Sequence, residues 1–237
     1  MNITLMSYNT QHCLNYITRE IDFDIMAETI RNCGADIIGL QEMFDLGETE
    51  EFTTQTKVLA EKLGFFWYFA EATKLDHGQY PYGNGIISRY PILEAETVGI
   101  PDPEVRTGKR YYETRCVLKA KIDVAGGLNV LVTHFGLNVD EQENAVNTVV
   151  ANLEPEKCVL MGDFNVRPEN ERIVPIRERL YDTAELFDEP KGSWPSDEPR
   201  GKIDYIFTTK DLQVLSADIP AIVSSDHRPH IATIELA

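Results

Sequence analysis

The feature that most constrains this chain is a repeated pairing: short apolar runs of strand length, each broken off by a polar or charged residue. Such runs occupy residues 3–8, 36–40, 65–70, 85–88, 115–122, 128–133, 157–161, 204–208 and 230–236. They combine β-branched or aromatic side chains with short polar boundaries, the mark of strands. Helical periodicity is confined to three places. Asp24 stands where it can cap a helix through Ile25, Met26 and Ile30, with Gly34 to end it. A second helix is predicted over about 50–63, ending at Gly64, and a third over about 140–153, with Ala145, Val146, Val149 and Val150 on one face.

The order is therefore β-α-β, several strands, β-α-β again, then strands. Only the two β-α-β passages call for parallel neighbours. The pattern fits two mixed sheets packed face to face, with helices outside, better than one doubly wound parallel sheet. At 237 residues and 43% hydrophobic content the chain can bury a large core. No Pro/Ser/Gly-rich linker divides it, so residues 1–237 read as a single α/β domain. The run Phe65-Phe66-Trp67-Tyr68-Phe69 is read as a strand buried on both faces rather than a stacking platform. Acidic clusters at 45–51 and 185–189 are read as solvated faces.

Charge narrows the partners. Twenty-two Lys and Arg face 39 Asp and Glu, a formal net charge of −17. Such a surface repels the nucleic-acid backbone and argues against extended, high-affinity DNA binding. It leaves room for a nuclease that touches a few phosphates around a metal. Residues 2–8 lack a basic n-region and a long apolar segment, and no apolar stretch reaches the length of a membrane span, so a cytoplasmic location is expected. Cys13, Cys33, Cys116 and Cys158 form no CxxC pair and read as free buried thiols. Nothing indicates a protein partner.

Six motifs place polar residues at or near strand ends, where sites form in α/β folds. Asn9 ends the first run and offers an amide to a metal or a phosphate, although Asn there is also a common turn former. Glu42, after Ile38-Gly39-Leu40-Gln41, is a natural hard-oxygen ligand, with a solvated strand end as the alternative. His134 follows Val132-Thr133 and can serve a phosphate oxygen or simply pack in the core. Gly162-Asp163-Phe164-Asn165 is the strongest signal. Gly162 permits a sharp exit from a buried strand, and Asp163 and Asn165, two apart, point to one side of an extended chain. Asp204 enters an apolar strand and needs a partner there. Asp226 and His227 are adjacent, so in a loop both can enter one site, Asp226 as a metal ligand or as a charge that favours the imidazolium. These carboxylates, amides and histidines, without cysteine, suit Mg²⁺ or Mn²⁺ and not structural zinc.

In order along the chain, Ser7-Tyr8-Asn9, Leu40-Gln41-Glu42, the run from Tyr82 to Arg89, Thr133-His134, Gly162-Asp163-Phe164-Asn165, Ile203-Asp204-Tyr205-Ile206 and Ser225-Asp226-His227 resemble the endonuclease/exonuclease/phosphatase superfamily. The resemblance spans nearly the whole chain. It implies a four-layer α/β sandwich with the site at one edge of two packed sheets, like that of deoxyribonuclease I. It implies metal at Asn9 and Glu42 with Asp226 nearby, and an attacking water oriented by Asp163. It implies a scissile phosphate held by Asn165, a transition state stabilised by His227, His134 as a second phosphate-side histidine, Asp204 positioning one of the two, and Asn84 on the substrate side. The expected activity is metal-dependent hydrolysis of a phosphate ester, in particular a phosphodiester, on a small-molecule, lipid-headgroup or nucleic-acid substrate. A catalytically silent phospho-ligand-binding module on the same fold is the alternative. The signatures of inositol 5-phosphatases are missing, since Val166-Arg167 follows Asn165, and Gln11 stands where abasic-site endonucleases usually carry Asp.

Overall fold

The apolar runs form strands, and the strands gather into two six-stranded sheets. The computed structural model describes residues 1–45, 53–75 and 79–236. Its elements in order are β1 (Asn2–Asn9), α1 (Phe23–Asn32), β2 (Ile37–Phe44), α2 (Gln55–Leu63), β3 (Phe66–Leu75), β4 (Tyr80–Ser88), β5 (Ile92–Gly99), β6 (Cys116–Ile122), β7 (Leu128–His134), α3 (Val139–Asn152), β8 (Cys158–Asp163), α4 (Val174–Arg177), β9 (Tyr181–Asp182), β10 (Asp204–Thr208), β11 (Gln213–Asp218) and β12 (His230–Glu235). One sheet runs β11-β12-β1-β2-β4-β3 and the other β5-β6-β7-β8-β10-β9. Each is mixed: β1 and β2 are parallel across α1, and β7 and β8 are parallel across α3, while the other pairs are antiparallel. Those two parallel pairs are the β-α-β passages of the sequence.

Side-chain alternation makes the layers. Ile3, Leu5, Ile37, Val130, Val132, Val159, Met161 and Ile206 fill the space between the sheets. The alternate residues face outward: Met6, Tyr8, Ile38 and Leu40 pack under α1 and α2 with Met26, Ile30 and Leu59. Leu131, Leu160, Tyr205 and Phe207 pack with Ala145, Val146 and Val149 of α3 and Ile176 of α4. Each large apolar side chain so buried contributes about 1.5–3 kcal/mol before entropy is counted. The result is the four-layer sandwich with helices outside.

Several local readings change. Asp22, not Asp24, caps α1, its carboxylate accepting from the N–H groups of Asp24 and Ile25 at 3.1 and 3.0 Å. β3 is the outermost strand of its sheet, with Phe66 49% and Trp67 40% exposed, so the aromatic run is an edge strand and not one buried on both faces. Gly162 does not mark an exit: it lies inside β8, where an added Cβ would sit 2.2 Å from the Thr133 carbonyl oxygen. Glycine is needed there for the close approach of β7. The predicted start of the second helix near residue 50 and most of the acidic cluster at 45–51 fall outside the described residues.

Candidate active site

The core face between the sheets ends in polar residues, and that end is the site. Along β1 the inward face reads Ile3, Leu5, Ser7, Asn9; along β7 it reads Leu128, Val130, Val132, His134; along β8 it reads Val159, Met161, Asp163. β10 runs the other way, so its inward face begins with Asp204 before Ile206. Pairing then aligns the polar ends across one sheet, His134 opposite Asp163 and Asp163 opposite Asp204, with Asn9 facing them from the other. The same period of two that builds the core thus delivers four functional groups to one place. Asn9, His134, Asp163 and Asp204 are each 3% exposed or less.

Asp163 is the centre. Its Oδ2 lies 3.1 Å from Asn9 Nδ2, 3.5 Å from His134 Nε2 and 3.6 Å from His227 Nε2. Its Oδ1 accepts the Asn165 backbone N–H at 2.9 Å. Asn165 therefore arrives by a turn, with φ +50°, and not along an extended chain. Its Nδ2 lies 3.1 Å from the Phe135 carbonyl oxygen and 3.2 Å from His134 Nε2. His227 presents its other nitrogen to Asp204, Nδ1 to Oδ2 at 2.8 Å. Asp204, the charge that entered an apolar strand, has found its partner.

Beside this cluster stands a pair of hard-oxygen donors. β2 carries a bulge between Leu40 and Met43, and Glu42 within it takes φ +60°, which turns its carboxylate to Asn9 Nδ2 at 3.0 Å. Asp226 is steadied by Ser225 Oγ at 3.2 Å and by a hydrogen bond from Trp194. Burial raises the Asp226 carboxyl, and the charge of Glu42 raises it further. Two carboxylates that repel each other beside an amide, with no thiol among them, form a donor set that fits a hard divalent cation.

The electrostatics divide the two histidines. Burial works against a charged His227, but the carboxylates of Asp204 and Asp163 outweigh it and lift the imidazole to about 10. Burial, the Arg115 guanidinium and the charge on His227 hold His134 well below the ordinary histidine range. Burial pushes Asp163 up to about 7, against the pull of His227. Ligand atoms of Asp163, Asp204 and His227 lie within 4.8 Å of one another, a spacing that a metal could bridge. Both nitrogens of His227 face carboxylates, however, and a charged imidazole carries a proton on each, so this trio is read as a hydrogen-bonded relay.

The structure brings Asn9, Glu42, His134, Asp163, Asn165, Asp204, Asp226 and His227 into one site. Asn84 lies elsewhere in the hydrogen-bond pattern: it is 2% exposed, and its amide donates to the Cys116 carbonyl at 3.0 Å. Arg115 was not singled out by the sequence, whereas Glu113 and Trp194 lie in the loops 101–114 and 192–200, which the sequence marks as shaping substrate choice. Arg115 precedes β6, pairs with Glu113 at 2.6 Å and reaches His134 Nδ1 at 3.0 Å. The available signal was a basic residue at the mouth of an apolar strand, the same pattern that marked Asp204. Cys13, Cys116 and Cys158 are buried and Cys33 half-buried, all as free thiols.

The sequence profile of the Endonuclease/Exonuclease/phosphatase family matches residues 6–227. The chain belongs to this family. Solved structures carry the same fold. An endonuclease/exonuclease/phosphatase from Beutenbergia cavernae superposes with TM-score 0.83 at 20% identity, covering 100% of this chain and 72% of that one. The endonuclease/exonuclease/phosphatase from Bacteroides vulgatus gives 0.77 at 21% identity, covering 100% of both. A mannosyl-6-phosphatase from Bacteroides thetaiotaomicron gives 0.74 at 18%, covering 99% of both. Among the described residues, no helix of this endonuclease/exonuclease/phosphatase family member is long and apolar enough to cross a membrane.

Proposed function

We propose that this protein is a divalent-metal-dependent phosphoesterase, acting on a phosphodiester in preference to a phosphomonoester. The observation that carries the reading is the convergence of three N–H-bearing side chains, Asn9, His134 and His227, on one oxygen of the buried Asp163, beside the Glu42–Asp226 pair. Mg²⁺ or Mn²⁺ held by Glu42 and Asp226, with Asn9 alongside, would supply positive charge to the phosphate oxygens and the leaving group.

The residues themselves supply position and charge. The Asp163 carboxylate, fixed at the end of β8 and by the Asn165 N–H, is oriented to align a water and accept its proton. His227, held protonated between Asp204 and Asp163, offsets charge on the equatorial oxygens. Asn165, half-buried at the rim, presents its amide to a phosphate oxygen. A silent binding module would need the anion-facing groups but not a carboxylate set to take a proton, and that favours activity.

The test is hydrolysis of bis-p-nitrophenyl phosphate, with p-nitrophenyl phosphate and mannose 6-phosphate as monoester controls. Turnover should need Mg²⁺ or Mn²⁺, disappear with a chelator and return on metal addition. Glu42→Gln should remove most activity and weaken metal binding in calorimetry while the fold persists. Metal-independent turnover, or unchanged metal affinity in that variant, would sink the assignment. Turnover of the monoesters alone would reverse the substrate preference.

A further inference from the structure

We propose that Arg115 is a positioning residue that fixes His134 as the neutral tautomer carrying its proton on Nε2, so that His134 meets the phosphate only as a hydrogen-bond donor. Its catalytic consequence rests on the phosphoesterase reading; the tautomer itself does not.

Arg115 Nη1 lies 3.0 Å from His134 Nδ1, with the guanidinium N–H directed at the ring. A guanidinium has five N–H groups and no acceptor, and it stays charged. The lone pair must therefore belong to His134, and Nδ1 must be bare. A neutral imidazole with a bare Nδ1 carries its proton on Nε2. That nitrogen faces Asp163 Oδ2 at 3.5 Å, an acceptor.

One contact competes. Asn165 Nδ2 stands 3.2 Å from His134 Nε2, and an N–H donated there would require Nε2 to be bare as well. A neutral ring cannot have both nitrogens bare. The Asn165 amide has another partner, the Phe135 carbonyl oxygen at 3.1 Å, which fixes its orientation. Arg115 has no such freedom, because Glu113 holds its Nη1 at 2.6 Å and both side chains are largely buried, 12% and 15% exposed. The charge-assisted bond decides the tautomer, and the Asn165 contact is a packing contact.

Two nearly equivalent imidazoles thus flank Asp163 with different tasks. His227 has carboxylates on both nitrogens, Asp204 and Asp163, and carries two protons. His134 has a guanidinium on one nitrogen and a carboxylate on the other, and carries one proton. With its only lone pair engaged by Arg115, His134 cannot take a proton from water, and that task is left to Asp163. No proton leaves His134 at any step; its Nε2–H turns from Asp163 to a phosphate oxygen.

The test is a long-range proton–nitrogen correlation spectrum of the isotope-labelled wild-type protein at neutral pH, with and without Mg²⁺, assigned by the signals lost in His134→Gln. The expected pattern is a bare Nδ1 and a protonated Nε2. Arg115→Met should release the constraint and shift His134 toward the other tautomer or the charged ring, and Arg115→Lys, which keeps a charged donor, should restore the pattern. In parallel, kcat should fall about 10–100-fold in Arg115→Met, the size of losing an outer partner of a functional group, with partial recovery in Arg115→Lys. A wild-type His134 protonated on Nδ1 overturns the inference, even if the protein hydrolyses phosphate esters and even if Arg115→Met does not fold. The expected spectrum in a protein without any phosphoesterase activity would leave the tautomer standing and remove the function instead.

Discussion

Asp163 and His227 face each other at 3.6 Å across the middle of the site, and the chemistry asks them to act together. In the proposed reaction Asp163 would align and deprotonate water while His227 would answer the charge that the attack creates. Asp163→Asn and His227→Ala should each lower kcat by about 10²–10⁴-fold, the range for positioned acid–base and electrostatic groups. Because both serve one transition state, the double variant should lose less than the product of the single losses. A double-mutant cycle on kcat at saturating metal measures this, and multiplicative losses would mean that the two work independently. The sequence named both residues. It could not say whether Asp204 serves His134 or His227, because that depends on which loop lies across the mouth of β10. The structure assigns Asp204 to His227 at 2.8 Å and leaves Arg115 to His134.

At the scale of elements, the tips of β7 and β8 must approach closely to set His134 opposite Asp163. Gly162 makes the approach possible, since a Cβ there would meet the Thr133 carbonyl oxygen at 2.2 Å and its carbon at 3.0 Å. Backbone cannot give way as a flexible side chain can. Gly162→Ala should therefore cost about 1–3 kcal/mol of stability, as overpacking usually does. For a chain of this size that is a fall in Tm of roughly 2–12 °C. The shift should also part His134 from Asp163, so activity should drop further than the loss of folded protein explains. Thermal melts beside specific activity at a temperature where the variant stays folded would show it, and a variant as stable and active as the wild type would refute the packing argument. Elements with a strong apolar period were legible in the sequence, and β1, β6, β7, β8, β10, β12 and α3 fall close to the predicted ranges, while β2 runs past the predicted end at Leu40 to Phe44 and so contains Glu42. β5 and β11 were not, because they lie at or next to sheet edges and alternate mostly exposed and half-buried residues, leaving no apolar run to read. The edge position of β3 escaped for the opposite reason: a run of aromatics looks buried, and only the strand order shows that Phe66 and Trp67 stand at the rim.

For the molecule as a whole, the net charge of −17 sets how an anionic substrate arrives. Clustered free cations near the site could override that charge by steering. Of the 22 Lys and Arg, ten pair with carboxylates among the described residues: Lys57, Lys62, Lys74, Arg89, Arg115, Lys119, Arg177, Arg179, Lys191 and Lys202. Arg115, the cation in contact with His134, is among them, neutralised by Glu113. Were the field at the mouth to follow the net charge, a phosphate ester would meet it as a like charge. Screening weakens that repulsion, as the Debye length falls from about 30 Å at 0.01 M salt to about 8 Å at 0.15 M. At saturating Mg²⁺ or Mn²⁺, kcat/KM for an anionic phosphodiester should rise across that interval, while kcat, which begins from bound substrate, should stay level. The sign is opposite to that of an enzyme that draws in its substrate by charge. A duplex DNA substrate, with many more phosphates, should show weak binding at every salt concentration, because no counterion release compensates its approach to an acidic surface. Steady-state kinetics over the salt series decide the matter: a kcat/KM that falls steeply with salt would mean that local cations at the site, and not the net charge, govern the encounter.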